Sequence, residues 1–245
     1  MSLEGRIALI TGAGKGIGRA ISLELAGRGV TLALNGRTRE SLEETADLAE
    51  SSGRRAICIV ADVTVPEQAA LLVGEVMREL GNLHILVNNV GDFLLKPLLE
   101  VNPSEWEHIV ASNLHSAFYV SREAVPLMLS AGWGRIVNLG LAGVEVLSSS
   151  PRIAPYKIAK TGLFLLTKSL ARELAGKGVT VNMVAPGIID TRGEKAPGEY
   201  AALVPMGEAG TPEDVARAVG FLVESESAYI TGACITIGGG WESAR

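Results

Sequence analysis

Tyr156 and Lys160 stand four residues apart in Tyr156-Lys-Ile-Ala-Lys160, at the start of a helical pattern, so they share one helix face. An ammonium near a phenol oxygen can help move a proton; a solvated surface pair is the alternative. A second candidate lies near the amino terminus, where Thr11-Gly-Ala-Gly-Lys-Gly-Ile-Gly18 follows the apolar run Ile7-Ala-Leu-Ile10 and leads into Arg19-Ala-Ile-Ser-Leu-Glu-Leu-Ala26. Glycines at a strand-to-helix turn let backbone N–H groups approach a pyrophosphate, and the helix N-terminus adds partial positive charge. The spacing, G-x-x-x-G-x-G at Gly12, Gly16 and Gly18 with Gly14 extra, departs from the commoner G-x-G-x-x-G. It marks a dinucleotide cradle, or a glycine-rich helix start that binds nothing.

These groups need a scaffold. Apolar strand-like runs cover 6–11, 29–35, 55–60, 83–88, 134–140, 178–184 and 233–237, and helix-length segments such as 39–52, 66–80, 104–129, 155–176 and 212–224 lie between them. Strands that are apolar throughout and alternate with helices predict a parallel sheet covered on both faces, a doubly wound, Rossmann-like α/β fold. With 245 residues and no linker or composition shift, the chain reads as a single domain over 1–245. Ligands of such a fold bind at the carboxyl ends of the strands. There stand Asn88-Asn89-Val90-Gly91 after the fourth strand and Asn138-Leu-Gly140 at the end of the fifth.

Composition removes several classes. A net charge of −5 with dispersed Lys and Arg argues against nucleic acid. The first residues lack a signal-peptide pattern and no apolar segment approaches the ~18 residues of a membrane span, so no membrane partner and a cytoplasmic location are expected. Cys58 and Cys234 lie in strand-like runs without C-x-x-C and are expected as buried free thiols. His84, His108 and His115 have no ligand spacing around them, so no metal site is expected.

Taken in order and spacing, these motifs resemble the short-chain dehydrogenase/reductase family from about residue 4 to residue 240. The resemblance rests on T-G-x-x-x-G-x-G at 11–18, Asp62-Val63 after the third strand, N-N-x-G at 88–91 and Asn113 in Ala-Ser-Asn-Leu-His. It continues with Y-x-x-x-K at 156–160, Pro186-Gly187 followed by Thr191, Tyr229-Ile-Thr-Gly232 and Gly238-Gly-Gly240. The chain looks most like the NAD(P)(H)-dependent branch that includes 3-oxoacyl-carrier-protein reductase and the sugar, polyol and steroid dehydrogenases.

The resemblance implies an oxidoreductase that passes a hydride between a nicotinamide and a carbonyl or alcohol substrate. It implies that Tyr156 is the acid/base, since a phenol of pKa ≈ 10 is too weak a base at neutral pH unless an ammonium such as Lys160 favours its ionised form. Lys160 would also hold the nicotinamide ribose, and Asn113 would link the lysine to solvent through a water, a helix-kink or capping amide being the alternative. The implied cofactor set is Gly12, Lys15, Gly16, Ile17, Gly18, Arg37, Asp62, Val63, Asn89, Gly91, Tyr156, Lys160, Pro186, Gly187, Ile188 and Thr191. Within it, Asp62 accepts from the adenine amino group, Asn89 lies beside the adenosine ribose, and Ile188 and Thr191 meet the carboxamide. A substrate lid is expected near 190–208.

Three departures qualify the resemblance. The family places a serine at the end of the fifth strand to hold the substrate oxygen, whereas Gly134-Arg-Ile-Val-Asn-Leu-Gly-Leu-Ala142 puts Leu141 there, with Gly140 before it and Gly143 thirteen residues ahead of Tyr156. Ser148, Ser149 and Ser150 could swing into the site or form a solvated turn before Pro151; loss of one oxyanion donor slows catalysis by ~10²–10³. Turnover is therefore open, and a nucleotide-binding sensor or assembly protein on the same fold is the second reading. At the second strand end, Gly36 stands where an Asp would bind the ribose of NAD, and Arg37 with Lys15 offers two cations to a 2′-phosphate, which predicts NADP(H). Finally, His84 occupies a position where relatives usually carry Asp, and the sequence assigns it no function.

The helix beginning near Tyr156 carries Ile158, Leu163, Phe164, Leu165, Leu166 and Leu170, more apolar surface than one sheet face covers. A second subunit is the expected cover, and relatives pair this helix in tetramers, so a homotetramer is expected.

Overall fold

Seven short apolar runs become strands β1 (Ile7–Thr11), β2 (Thr31–Gly36), β3 (Ala56–Val60), β4 (Ile85–Asn88), β5 (Gly134–Leu139), β6 (Val179–Pro186) and β7 (Cys234–Ile237) of one sheet. The computed structural model describes residues 3–51, 53–191 and 202–241. Every strand pairing is parallel, in the order β3-β2-β1-β4-β5-β6-β7. All residues of β1, β4 and β5 are buried, which explains why these runs are apolar on both faces rather than alternating.

Helices α1 (Gly16–Gly27), α2 (Arg39–Glu50) and α7 (Pro212–Val223) cover one face, packing Ile21, Leu25, Leu42, Val215 and Val219 on Ile10, Leu32 and Val87. On the other face α3 (Pro66–Leu80), α5 (Ser116–Ser130) and α6 (Ala154–Leu174) bring Leu72, Val76, Val120, Met128 and Leu174 to Leu9, Leu86 and Ile136. The expected elements are present with ends displaced by a few residues. The order reverses between β1 and β4, and that switch point opens the crevice in which doubly wound folds bind ligands.

One expected helix, 104–129, is three pieces: α4 (Pro103–Val110), a π-helical turn over Ala111–His115, and α5. Asn113 explains the break. Its Nδ2 donates to the Ile109 carbonyl at 3.0 Å, taking the acceptor that the regular helix would give to its own N–H, and reaches out to Asp92 O at 2.8 Å.

The expected lid falls largely on 192–201, outside the described residues. On either side of it Ile188–Asp190 and Gly210 are joined, Asp190 N donating to Gly210 O (2.8 Å) and Gly210 N to Ile188 O (3.0 Å). Cys58 and Cys234 are free thiols, half-buried rather than buried as expected, because both lie on the outer strands of the sheet, next to or at its edge. Among the described residues no helix is long and apolar enough to cross a membrane.

Candidate active site

The glycine turn is built by close approach. Gly12 and Gly16 adopt φ of 66° and 52°, in the region that disfavours side chains, and a Cβ on Gly18 would overlap the Gly12 carbonyl. Asn89 Nδ2 donates to Thr11 O (3.0 Å) and Gly12 O (3.1 Å), its backbone N–H donates to Thr11 Oγ1 (3.0 Å), and Arg19 Nη2 donates to Gly14 O (2.6 Å). These bonds hold the carbonyls back from the cradle. At α1 itself Lys15 is the extended N-cap residue with no side-chain cap bond, and no acidic residue stands in the first turn. The first N–H groups of α1 are thus left without a side-chain acceptor, and the residues fit a pyrophosphate. Thr191 closes the far side, since a Cβ on Gly16 would stand 3.5 Å from Thr191 Cβ. A Cβ on Gly187 would lie 2.8 Å from Gly238 Cα, so the Pro186-Gly187 turn runs against the chain end after β7.

After β3, the Asp62 carboxylate accepts from Thr64 N (3.0 Å) and Thr64 Oγ1 (2.7 Å). Burial pushes its pKa up, but the two Thr64 bonds, with Arg37 and His108 beyond them, outweigh that and hold it below the usual value. Val63 is buried beneath it. Arg37 and Lys15 are exposed, as cations that meet a solvent-facing phosphate would be.

The proton-handling group is built around a buried amine. Lys160 is 4% exposed, and its Nζ donates to Leu139 O at 2.7 Å. Gly91 makes room for it: a Cβ there would overlap Asn113 Oδ1 and lie 3.2 Å from Lys160 Nζ. Asn113 spends its Nδ2 on Asp92, Ile109 and Ser112, which leaves Oδ1 buried without a partner beside the amine. The Tyr156 ring centroid lies 5.7 Å from Lys160 Nζ and is met edge-on by Phe93 at 5.1 Å. Burial dominates both ionisations, pushing Tyr156 up to about 12 and Lys160 down to about 7. The ammonium expected to draw the phenol's pKa down is itself disfavoured, because burial removes it from water and, among the described residues, no carboxylate bonds to it.

A family model described as enoyl-(acyl carrier protein) reductase matches residues 12–242. The 3-oxoacyl-(acyl-carrier-protein) reductase FabG of Pseudomonas aeruginosa is 36% identical over 98% of both chains, and that of Vibrio cholerae is 38% identical over the same shares. A crystal structure from Sinorhizobium meliloti 1021, proposed there to be a short-chain alcohol dehydrogenase, superposes with a TM-score of 0.91 at 37% identity, covering 98% of this chain and 97% of that one. The chain belongs to the short-chain dehydrogenase/reductase family.

Leu141, at the position where the sequence resemblance expects a serine, is 7% exposed in a turn in which Val144 N donates to Leu141 O (3.0 Å) and Gly143 takes φ of 79°. In the serine cluster Ser148 and Ser150 accept from Lys157 Nζ, and Ser149 is exposed. Sequence reasoning assigned no role to Arg19 or to the Leu139 carbonyl, because a helix arginine and a backbone oxygen carry no motif, whereas Thr11 opens the glycine motif at 11–18.

The Lys160 burial has a stability consequence. Unfolded, its amine titrates near 10.5; folded, near 7. Between those values the unfolded chain holds a proton that the folded site lacks, so this group makes stability rise with pH above 7 and depresses it fully below. Lys160→Met is expected to raise the melting temperature by several degrees at pH 6.5 and to flatten its rise towards pH 9, as read by calorimetry on both proteins. A lower melting temperature for the variant at pH 6.5 contradicts the assignment.

Proposed function

We propose that this oxidoreductase passes a hydride between NADP(H) and a carbonyl/alcohol substrate, with Tyr156, Lys160 and Asn113 as the proton-handling residues. The reading is carried by the convergence of the Tyr156 and Lys160 side chains with the unpartnered Asn113 Oδ1, around Gly91 and next to the glycine cradle. When bound, the dinucleotide donates or accepts the hydride. Gly12, Gly16, Ile17, Gly18 and the α1 terminus would hold its pyrophosphate, Asp62 and Val63 its adenine, Asn89 and Gly91 the ribose beside it, and Pro186, Gly187, Ile188 and Thr191 its nicotinamide end.

Tyr156 holds the proton that the substrate oxygen takes up on reduction. A phenol near 12 keeps that proton throughout the neutral range, which favours the carbonyl-to-alcohol direction. Lys160 stands ready to stabilise the phenolate left behind, and a water between Asn113 Oδ1 and the amine would return the proton from solvent. With Leu141 in the serine position, Tyr156 is the one hydroxyl assigned to the substrate oxygen. That same absence favours the second reading, a nucleotide-binding protein with impaired turnover. Tyr156→Phe is expected to leave cofactor affinity unchanged and remove nearly all NADPH oxidation across a screen of carbonyl substrates, while Leu141→Ser raises kcat. Activity of the phenylalanine variant within threefold of the parent refutes the role of Tyr156, and no turnover by the parent or the serine variant favours the sensor.

The preference for NADP(H) rests on Gly36, which leaves no carboxylate at the ribose, and on Arg37 and Lys15. NADPH is expected to bind at least tenfold more tightly than NADH in calorimetric titration, and Arg37→Ala to remove most of that difference. Equal affinities in the parent defeat it.

Assembly as a homotetramer is supported by the outer surface of α6, where Ile158 is 52% and Leu165 59% exposed, and by exposed Phe118 on α5. Light scattering is expected to return about four times the 25.6 kDa chain mass, and the monomer mass excludes the pairing.

A further inference from the structure

Three basic side chains meet at the other end of the sheet without an acid. Arg6 precedes β1, His84 precedes β4, and Arg135 is the second residue of β5. The three strands are neighbours, and the backbone links them in a row: His84 N donates to Ile7 O and Arg135 N to His84 O, both at 2.9 Å. Trp133 gathers them, with the Arg6 guanidinium 4.0 Å and the Arg135 guanidinium 4.3 Å from its ring centroid and the His84 ring edge-on at 6.1 Å. This is the amino-terminal edge of the strands, roughly 15 Å from the glycine cradle by strand length.

The electrostatics of this cluster are unbalanced. Arg135 is 3% exposed, its Nη1 donates to Gly134 O (2.8 Å) and Gly178 O (3.4 Å), and its Nε is buried with no partner. Among the described residues no Asp or Glu pairs with Arg6, His84 or Arg135; the ion pairs of the amino-terminal segment run elsewhere, Glu4 to Arg54 and Glu24 to Arg28. Burial and the Arg6 charge lower the pKa of both His84 and Arg135. The cations repel one another in a protein whose net charge is −5. A buried guanidinium without a counter-ion is costly, and cation–π contact with one indole, worth about 1–2 kcal/mol, does not replace it.

His84 adds a donor. Its Nδ1 accepts from Ile7 N at 3.2 Å, so the neutral ring carries its proton on Nε2. We propose that Arg6, His84 and Arg135 form a binding site for a phosphate-type oxyanion, separate from the dinucleotide site. Two guanidinium groups and an imidazole N–H supply charge and donors to such an anion, and the forked geometry of arginine suits its oxygens. The histidine is what leaves the cluster without an acid: an Asp at this position would add a carboxylate beside the indole that both arginines meet.

His84→Asp is therefore the decisive variant, since it supplies that carboxylate in the chain itself. Inorganic phosphate is titrated calorimetrically into the full-length parent, His84→Asp and Arg6→Gln at constant ionic strength. Phosphate held at the glycine cradle is common to all three proteins, so this site is read as the difference between them. The parent is expected to bind one more phosphate than either variant, or to bind it at least tenfold more tightly, and phosphate is expected to raise the melting temperature of the parent alone. His84→Asp is expected to melt above the parent without phosphate. Glycerol phosphate run in parallel distinguishes a free ion, which it would not displace, from a phosphomonoester, which it would match. Identical titrations for parent and His84→Asp, or no phosphate binding by the parent, overturn the proposal.

Discussion

The burial of one amine organises the carboxyl end of the sheet. Lys160 is almost fully enclosed and donates to the Leu139 carbonyl, and a depression of its pKa from 10.5 to about 7 corresponds to a cost on the order of 5 kcal/mol for the charged form. Among the described residues no carboxylate relieves that cost, so the ammonium is a latent charge. Anything that places negative charge beside it, such as a phenolate at Tyr156, is stabilised by a large fraction of what burial removed. An amine already paired with an acid could not respond in this way. The marginal stability of the site in the protein alone is thus tied to its capacity to hold a transient anion.

Close packing at glycines makes the enclosure feasible. Gly91 lets the chain after β4 lie against both Asn113 and Lys160, and Gly12 and Gly18 let the chain after β1 fold over Asn89. The two loops are one unit, because Thr11 Oγ1 receives the Asn89 N–H and itself donates to Val87 O at 3.3 Å. The π-helical turn at Asn113 belongs to the same arrangement. It frees an amide to bond Asp92, which holds the loop down on the amine, at the expense of regular helix between α4 and α5.

Strand positions were legible because a parallel sheet buried on both faces leaves continuous apolar runs, as in Ile7–Thr11 and Gly134–Leu139. Tyr156 and Lys160 were legible because helical geometry fixes an i, i+4 pair without tertiary information. The broken helix was legible only as the alternative role of Asn113, a helix-kink amide, since the bond from that side chain across to Asp92 O leaves no mark in the spacing of the apolar residues. The protonation balance was also hidden. Sequence spacing sets a phenol near an ammonium, while the depth of burial that disfavours the ammonium depends on Gly91, Leu139 and Asn113 closing over it. The placement of Ser148 and Ser150 depended likewise on a partner, Lys157, to which the sequence assigned no role.

The two ends of the same three strands handle charge in opposite ways. At the carboxyl ends of β1, β4 and β5 the unpaired groups are a helix terminus and a near-neutral amine, partial charges that a ligand can complete and release. At their amino ends stand full charges, and arginine stays protonated even when burial lowers its pKa. A guanidinium cannot relieve the strain by losing a proton as Lys160 does, so the buried Arg135, which has no acid partner among the described residues, calls for a counter-charge from outside them. His84 cannot provide it, because its ring is neutral or positive and its Nδ1 is committed to Ile7. The lysine end can therefore rest empty, whereas the arginine end is balanced only with an anion in place.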